Sequence, residues 1–137
     1  MKRKATAVWN GDLKSGSGHL STQSGVLDKT QYSFNSRFAD GKGTNPEELI
    51  AAAHAGCFTM KLDADLTEAG YKVESLETSS HVTIEDGTIT LSELSLEANI
   101  PDISEDKFQE MAKSAKENCP VSKALSFELR LSAKLKS

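Results

Sequence analysis

Two cysteines, Cys57 and Cys119, stand 62 positions apart in a chain of 137 residues. A thiol can act as a nucleophile, ligate a metal or form a disulfide. One widely spaced pair is too few for a disulfide framework, so in a reducing compartment it is either inert packing or working redox chemistry. Cys57 falls in a run of small and apolar residues, where a cysteine commonly serves as a small hydrophobe. Cys119 directly precedes Pro120 and is placed to cap a short helix over Pro120 to Leu125. The positive end of a helix dipole favours the thiolate, so position alone nominates Cys119 as the activated nucleophile.

Other residues offer chemistry with plain structural readings beside it. Glu47 and Glu48 follow Pro46 and suit the start of a helix, where carboxylates meet the positive end of the dipole. Arg37 closes an alternating stretch and reads equally as a surface charge. His19, His54 and His81 fall on three separate elements without the short spacings of a zinc site, and no Cys-x-x-Cys occurs, so no metal is expected. Gly11, Gly16, Gly18 and Gly25 are scattered and no Gly-Lys-Ser/Thr step follows them, which removes the phosphate-binding loop. A serine triad has no supporting signature.

The elements that must position these residues follow from periodicity. Lys4 to Trp9 alternates polar and apolar, Gly16-Ser17-Gly18 marks a turn or bulge, and Tyr32 to Arg37 has period two again, which together predict a short antiparallel meander. Asp40-Gly41-Lys42-Gly43 is a loop by composition. Thr44-Asn45-Pro46-Glu47-Glu48 then predicts a helix that runs to about Ala69 and closes at Gly70. The first half of that helix, through Phe58, is small or apolar nearly all round, so it is expected to be buried with other backbone packed close. Strands over Lys72 to Ile84 and Thr88 to Asn99 flank Asp86-Gly87, the dipeptide favoured in tight hairpins. Ser104 with Glu105 and Asp106 starts a second helix through about Asn118, and Ser126 to Lys134 alternates as a last strand.

Composition narrows the function classes. The length suits one domain over residues 1–137. Sixteen Lys plus Arg against 20 Asp plus Glu give a net charge of −4 with both signs interspersed, which speaks against a nucleic-acid partner. No stretch reaches the roughly 20 apolar residues of a membrane-spanning helix, and the basic start Met1 to Ala5 is not followed by an apolar signal core. A soluble protein of the cytoplasm, with no membrane partner, is therefore expected.

Gly43-Thr44-Asn45-Pro46-Glu47-Glu48-Leu49-Ile50-Ala51-Ala52-Ala53-His54-Ala55-Gly56-Cys57-Phe58, followed far downstream by Cys119-Pro120-Val121-Ser122-Lys123-Ala124-Leu125, resembles the osmotically inducible protein C / organic hydroperoxide resistance (OsmC/Ohr) family. The resemblance covers nearly the whole chain, and the placement of Arg37 and the histidine in the helix look more like the OsmC branch. It implies an α+β fold in which antiparallel sheets wrap two long central helices of an intertwined homodimer, with two active sites at the interface. It also implies a cofactor-free thiol peroxidase. Cys57 would attack the O–O bond and become a sulfenic acid, and Cys119 would condense with it to a disulfide. Arg37 would be the cation that favours the thiolate, held by Glu47 in a bidentate pair, with Glu48 the weaker candidate for that partner. These roles reverse the order suggested by the helix dipole. The implied substrate is an organic hydroperoxide, and the implied reductant is a dithiol such as a protein-bound lipoyl group, with thioredoxin or a low-molecular-weight thiol as the alternatives.

Glu47 and Cys57 are ten residues apart, about 15 Å of rise in a straight helix, so they cannot meet within one. If Glu47 assists Cys57, either the helix breaks or the carboxylate comes from a second chain. Phe58, with Met60 and Ile50, would line an apolar pocket for the alkyl part of a hydroperoxide. Two other readings stay open: a non-enzymatic module that binds an apolar ligand, and a thiol–disulfide exchange enzyme.

Overall fold

A computed structural model describes residues 1–39 and 41–136 and places them in two compact units, Met1–Leu49 and Ile50–Ser137. Asp40, at the head of the expected loop, lies outside the described residues. The class is α+β, as expected.

In the first unit, β1 (Ala5–Asn10), β2 (Ser17–Thr22) and β3 (Thr30–Tyr32) form an antiparallel sheet in that order. Gly18 is not a turn residue but sits within β2, opposite Trp9 and Tyr32. A β-carbon there would stand 2.5 Å from the Val8 carbonyl oxygen and 2.6 Å from the Trp9 ring, so the sheet needs a glycine at this point. The alternation over Tyr32 to Arg37 does not make a strand beyond Tyr32. Phe34–Phe38 is a short helix, α1, started by a capping box in which the Ser33 hydroxyl accepts from the Ser36 N–H and the Ser36 hydroxyl accepts from the Ser33 N–H. Two serines three residues apart outweigh the weak period-two pattern by satisfying amides that a helix start leaves open.

The long helix α2 (Pro46–Glu68) begins as its sequence predicts. The Asn45 side chain accepts from the Glu48 N–H at 2.7 Å, Pro46 needs no amide partner, and Gly70 takes φ +93° just past the end. From Ile50 onward α2 belongs to the second unit. There β4 (Ser75–Glu85) and β5 (Thr88–Asn99) form the expected hairpin, with Asp86 and Gly87 both at positive φ, 50° and 75°. The last strand, β6 (Glu128–Leu135), pairs with β5 in parallel, reached through α3 (Glu105–Asn118) and the short α4 (Pro120–Ala124).

The core of this unit joins one stripe from each element. Phe58, Leu62 and Leu66 on α2 recur every four residues, Leu94, Leu96 and Ala98 on β5 every two, and Phe108, Ala112 and Ala115 line α3. Cys119 belongs to the same cluster. The first half of α2 is not buried all round: Ala52, Ala53 and Gly56 are exposed, Met60 is 76% exposed, and nothing lies within 4 Å of a β-carbon built on Gly56. Small apolar residues mark a face fit for close approach, and within one chain that face is open. No membrane-crossing helix occurs among the described residues.

Phe108 fills the centre of the cluster with no exposure. Phe108→Ala is expected to lower unfolding free energy by about 3–5 kcal/mol, read from urea melts at one fixed protein concentration.

Candidate functional site

Core packing brings the two thiols together. Cys57 lies one position before the fully buried Phe58, and so flanks the core face of α2, half-buried. Cys119 caps the end of α3 and the start of α4 and is fully buried. The first turn of α4 serves both sulfurs: the Val121 N–H points at Cys57 Sγ at 3.5 Å, and the Ser122 N–H at Cys119 Sγ at 3.4 Å. The positive helix end that position assigned to Cys119 alone is thus shared. Both thiols are free. Burial pushes the Cys57 thiol up, the Val121 amide pulls it down, and the neighbouring Cys119 raises it further. Within its own unit burial is the largest influence on Cys57 and works against the thiolate.

Behind Cys119 lies a polar network that motif reasoning missed. His54, one turn before Cys57 on α2, is completely buried. Its Nδ1 stands 2.7 Å from Ser92 Oγ on β5 and its Nε2 stands 2.8 Å from Ser122 Oγ on α4. Ser122 Oγ is in turn 2.9 Å from Cys119 Sγ, and Ser92 Oγ is 3.0 Å from Ser80 Oγ on β4. Burial alone holds the His54 imidazole below its ordinary value of 6.5. A lone histidine in an otherwise apolar helical run was the available signal. The other histidines are elsewhere, His19 on β2 and the exposed His81 on β4.

In the first unit, Arg37 does not end a strand but lies in the last turn of α1. Its Nε donates to Glu47 Oε1 at 2.8 Å. The contact is single rather than bidentate: Glu47 is buried, and its Oε2 has no partner among the described residues. Glu48 turns instead to the Thr44 hydroxyl. The pair is set up by Asn45, whose amide donates to the Ser36 carbonyl while its oxygen caps α2, tying the turn that carries Arg37 to the turn that carries Glu47. The guanidinium lies 5.0 Å from the Phe38 ring centroid, and its side chain stays 40% exposed.

An apolar cavity forms beside Arg37 in the first unit. Phe58 is locked in the core and Met60 faces outward, so neither lines the expected cavity. A cavity of about 250 Å³ opens beside Arg37, walled by Trp9, Leu13, Tyr32, Phe34 and Phe38. Within α2, Glu47 and Cys57 belong to one unbroken helix, which keeps them about 15 Å apart along its axis.

The family model for OsmC-like proteins matches residues 39–134, a span that holds Glu47 and both thiols. The chain belongs to the OsmC-like family. Peroxiredoxin OsmC of Escherichia coli is 44% identical, with 98% of this chain and 97% of that protein aligned. Organic hydroperoxide resistance protein OhrB of Bacillus subtilis is 34% identical over 78% of this chain and 80% of its own. The crystal structure of an organic hydroperoxide resistance protein from Elizabethkingia anophelis superposes with a TM-score of 0.72, at 26% identity, over 99% of each chain. The α+β architecture is thus that of OsmC and Ohr proteins.

The buried imidazole of this family member leaves a signature in stability. Below pH 6.5 the unfolded chain accepts a proton that native His54 resists, so its contribution is complete above that value and is lost as pH falls toward the depressed native value. Acid titration of urea-unfolding free energy should show this slope, at most about 1.4 kcal/mol per pH unit from one group, and His54→Gln should flatten it.

Proposed function

We propose that this protein is a thiol-dependent peroxidase that reduces organic hydroperoxides to alcohols. The observation that carries the reading is the pairing of a half-buried thiol with a fully buried one across the first turn of α4. Only Cys57 is open enough to meet a peroxide, and Cys119 waits beside it. In the first step the Cys57 thiolate attacks the terminal peroxide oxygen, the O–O bond breaks, and the alkoxide takes a proton to leave as the alcohol. Cys57 is then a sulfenic acid. In the second step Cys119 attacks that sulfur, the S–O bond breaks, a disulfide forms and water departs. A dithiol, such as a lipoyl group on a protein, returns the enzyme to its reduced state.

Arg37 is the activating cation, held by Glu47. We infer that it reaches the Cys57 of a second copy, in a homodimer with two sites at the interface. Three observations support this. The unbroken α2 separates Glu47 from the Cys57 of its own chain. The open stripe of Ala52, Ala53, Gly56 and Met60 suits a close helix contact. The first unit has no fully buried apolar side chain among its described residues, too little core for nearly fifty residues to stand on their own. Single-domain organisation over residues 1–137 and residence in the cytoplasm belong to the same reading. The cavity beside Arg37 would take the alkyl part of the hydroperoxide, which gains from burial as hydrogen peroxide does not.

The upward shift of the Cys57 thiol is what favours the competing reading, a binding module with unreactive cysteines. Cumene hydroperoxide followed by thiol mass spectrometry separates the two. Wild type should form the Cys57–Cys119 disulfide, Cys119→Ser should trap oxidised Cys57, and Cys57→Ser should not react. Two unreactive thiols would leave the binding module standing, and oxidation persisting at Cys119 in Cys57→Ser would swap the roles. A hybrid dimer refolded from Arg37→Ala and Cys57→Ser chains should regain about half of wild-type activity, since one of its two mixed sites is complete. An inactive hybrid would place each site within one chain.

A further inference from the structure

The peroxidase reading uses Arg37, Glu47 and the two thiols, and leaves His54 without a task. Burying an imidazole in an apolar core costs free energy unless both nitrogens are bonded, and a leucine would fill the space more cheaply. The structure meets that cost with serines from two different elements, and one of them touches the resolving thiol.

The hydrogen positions can be assigned without conflict. A neutral imidazole has one donor and one acceptor. With the proton on Nδ1, His54 donates to Ser92 Oγ, and the Ser92 hydroxyl donates to Ser80 Oγ. Nε2 then accepts from the Ser122 hydroxyl, which leaves Ser122 Oγ free to accept from the Cys119 S–H. The result is an ordered line from thiol to hydroxyl to imidazole, with its far end anchored on the sheet.

We propose that His54, acting through Ser122, takes up the proton of Cys119 when this thiol attacks oxidised Cys57. The thiol proton passes to Ser122 Oγ as the Ser122 proton passes to His54 Nε2. The Cys119 sulfur then forms the S–S bond as the S–O bond of the Cys57 sulfenic acid breaks. Hydroxide leaves and is protonated by solvent, and the imidazolium later returns its proton to solvent, so the sum is one disulfide and one water. The sulfenic sulfur is reduced and Cys119 is oxidised, with no further reactant. His54 touches neither sulfur and is a positioning and relay residue, set for the second step only.

Burial favours the neutral imidazole, the form whose Nε2 can accept. Cys119 reaches it through Ser122, and burial is what shifts it. His81 on β4, Glu93 on β5 and Lys123 on α4 are the nearby charged or titratable side chains of the surrounding elements, and all three are exposed.

The inference rests on the peroxidase reading, and quench-flow on the full-length protein tells their failures apart. Cumene hydroperoxide is added between about pH 5 and 8, sulfenic acid is trapped with dimedone, and disulfide formation is timed separately. Wild-type disulfide formation should hold its rate through 6.5 and slow only as pH falls to the native His54 value, which burial sets below 6.5, because a protonated imidazole cannot accept. His54→Gln should slow it at least about tenfold and abolish the inflection, while Cys57 oxidation changes by less than about threefold. Ser122→Ala, which removes one hydroxyl, should do the same and carries the test if His54→Gln does not fold. Loss of rate with the inflection retained would make the network merely structural, and wild-type rates in both variants would overturn the relay outright. Absence of any sulfenic acid in wild type would remove the peroxidase reading, and the relay with it.

Discussion

A buried imidazole must bond at both nitrogens, and in this chain that requirement sets the position of everything around the thiols. His54 reaches β5 through Ser92 and α4 through Ser122. Since Ser122 also bonds Cys119, the short helix that serves both sulfurs is fixed to the sheet and to α2 by one side chain. Five residues of helix have little stability of their own, because nucleation costs more than so few hydrogen bonds return. The network and the packed Cys119 supply what α4 lacks.

The same packing decides which thiol is open. Phe58, Leu62 and Leu66 orient α2, and the residue before Phe58 comes to the margin of the core, so Cys57 is half-buried. Cys119 continues the Phe108, Ala112, Ala115 stripe of α3 and is shut in completely. The cost is an upward-shifted Cys57, which only a nearby cation or donor can offset. The Val121 amide is one such donor. The other end of α2 is built for charge, with Asn45 joining the two turns from which Arg37 and Glu47 meet. Glu47 Oε2, without a partner among the described residues, leaves that pair with acceptor capacity beside an apolar cavity.

Local rules were enough wherever a segment answers to its own backbone. Asn45-Pro46 starts α2, Gly70 ends it, Asp86-Gly87 turns the hairpin, and Ser104 caps α3, because each satisfies amides or dihedrals within a few residues. The motifs around Cys57 and Cys119 also made the family legible, and with it the α+β class. Alternation misled at Tyr32 to Arg37, where two serines close a capping box, and at Gly18, where a close ring rather than a turn calls for glycine.

What the sequence by itself determined is therefore most of the elements, their punctuation, two thiols as the candidate chemistry and the family that carries them. The tertiary structure decided the rest: that β6 runs parallel to β5, that Phe58 belongs to the core and the cavity to Arg37, that one face of α2 lies open, and that His54 connects the sheet to Cys119. The physical reason is range. Caps and turns are settled by bonds across three or four residues, whereas the His54 contacts span 38 and 68, and no local pattern encodes partners so distant.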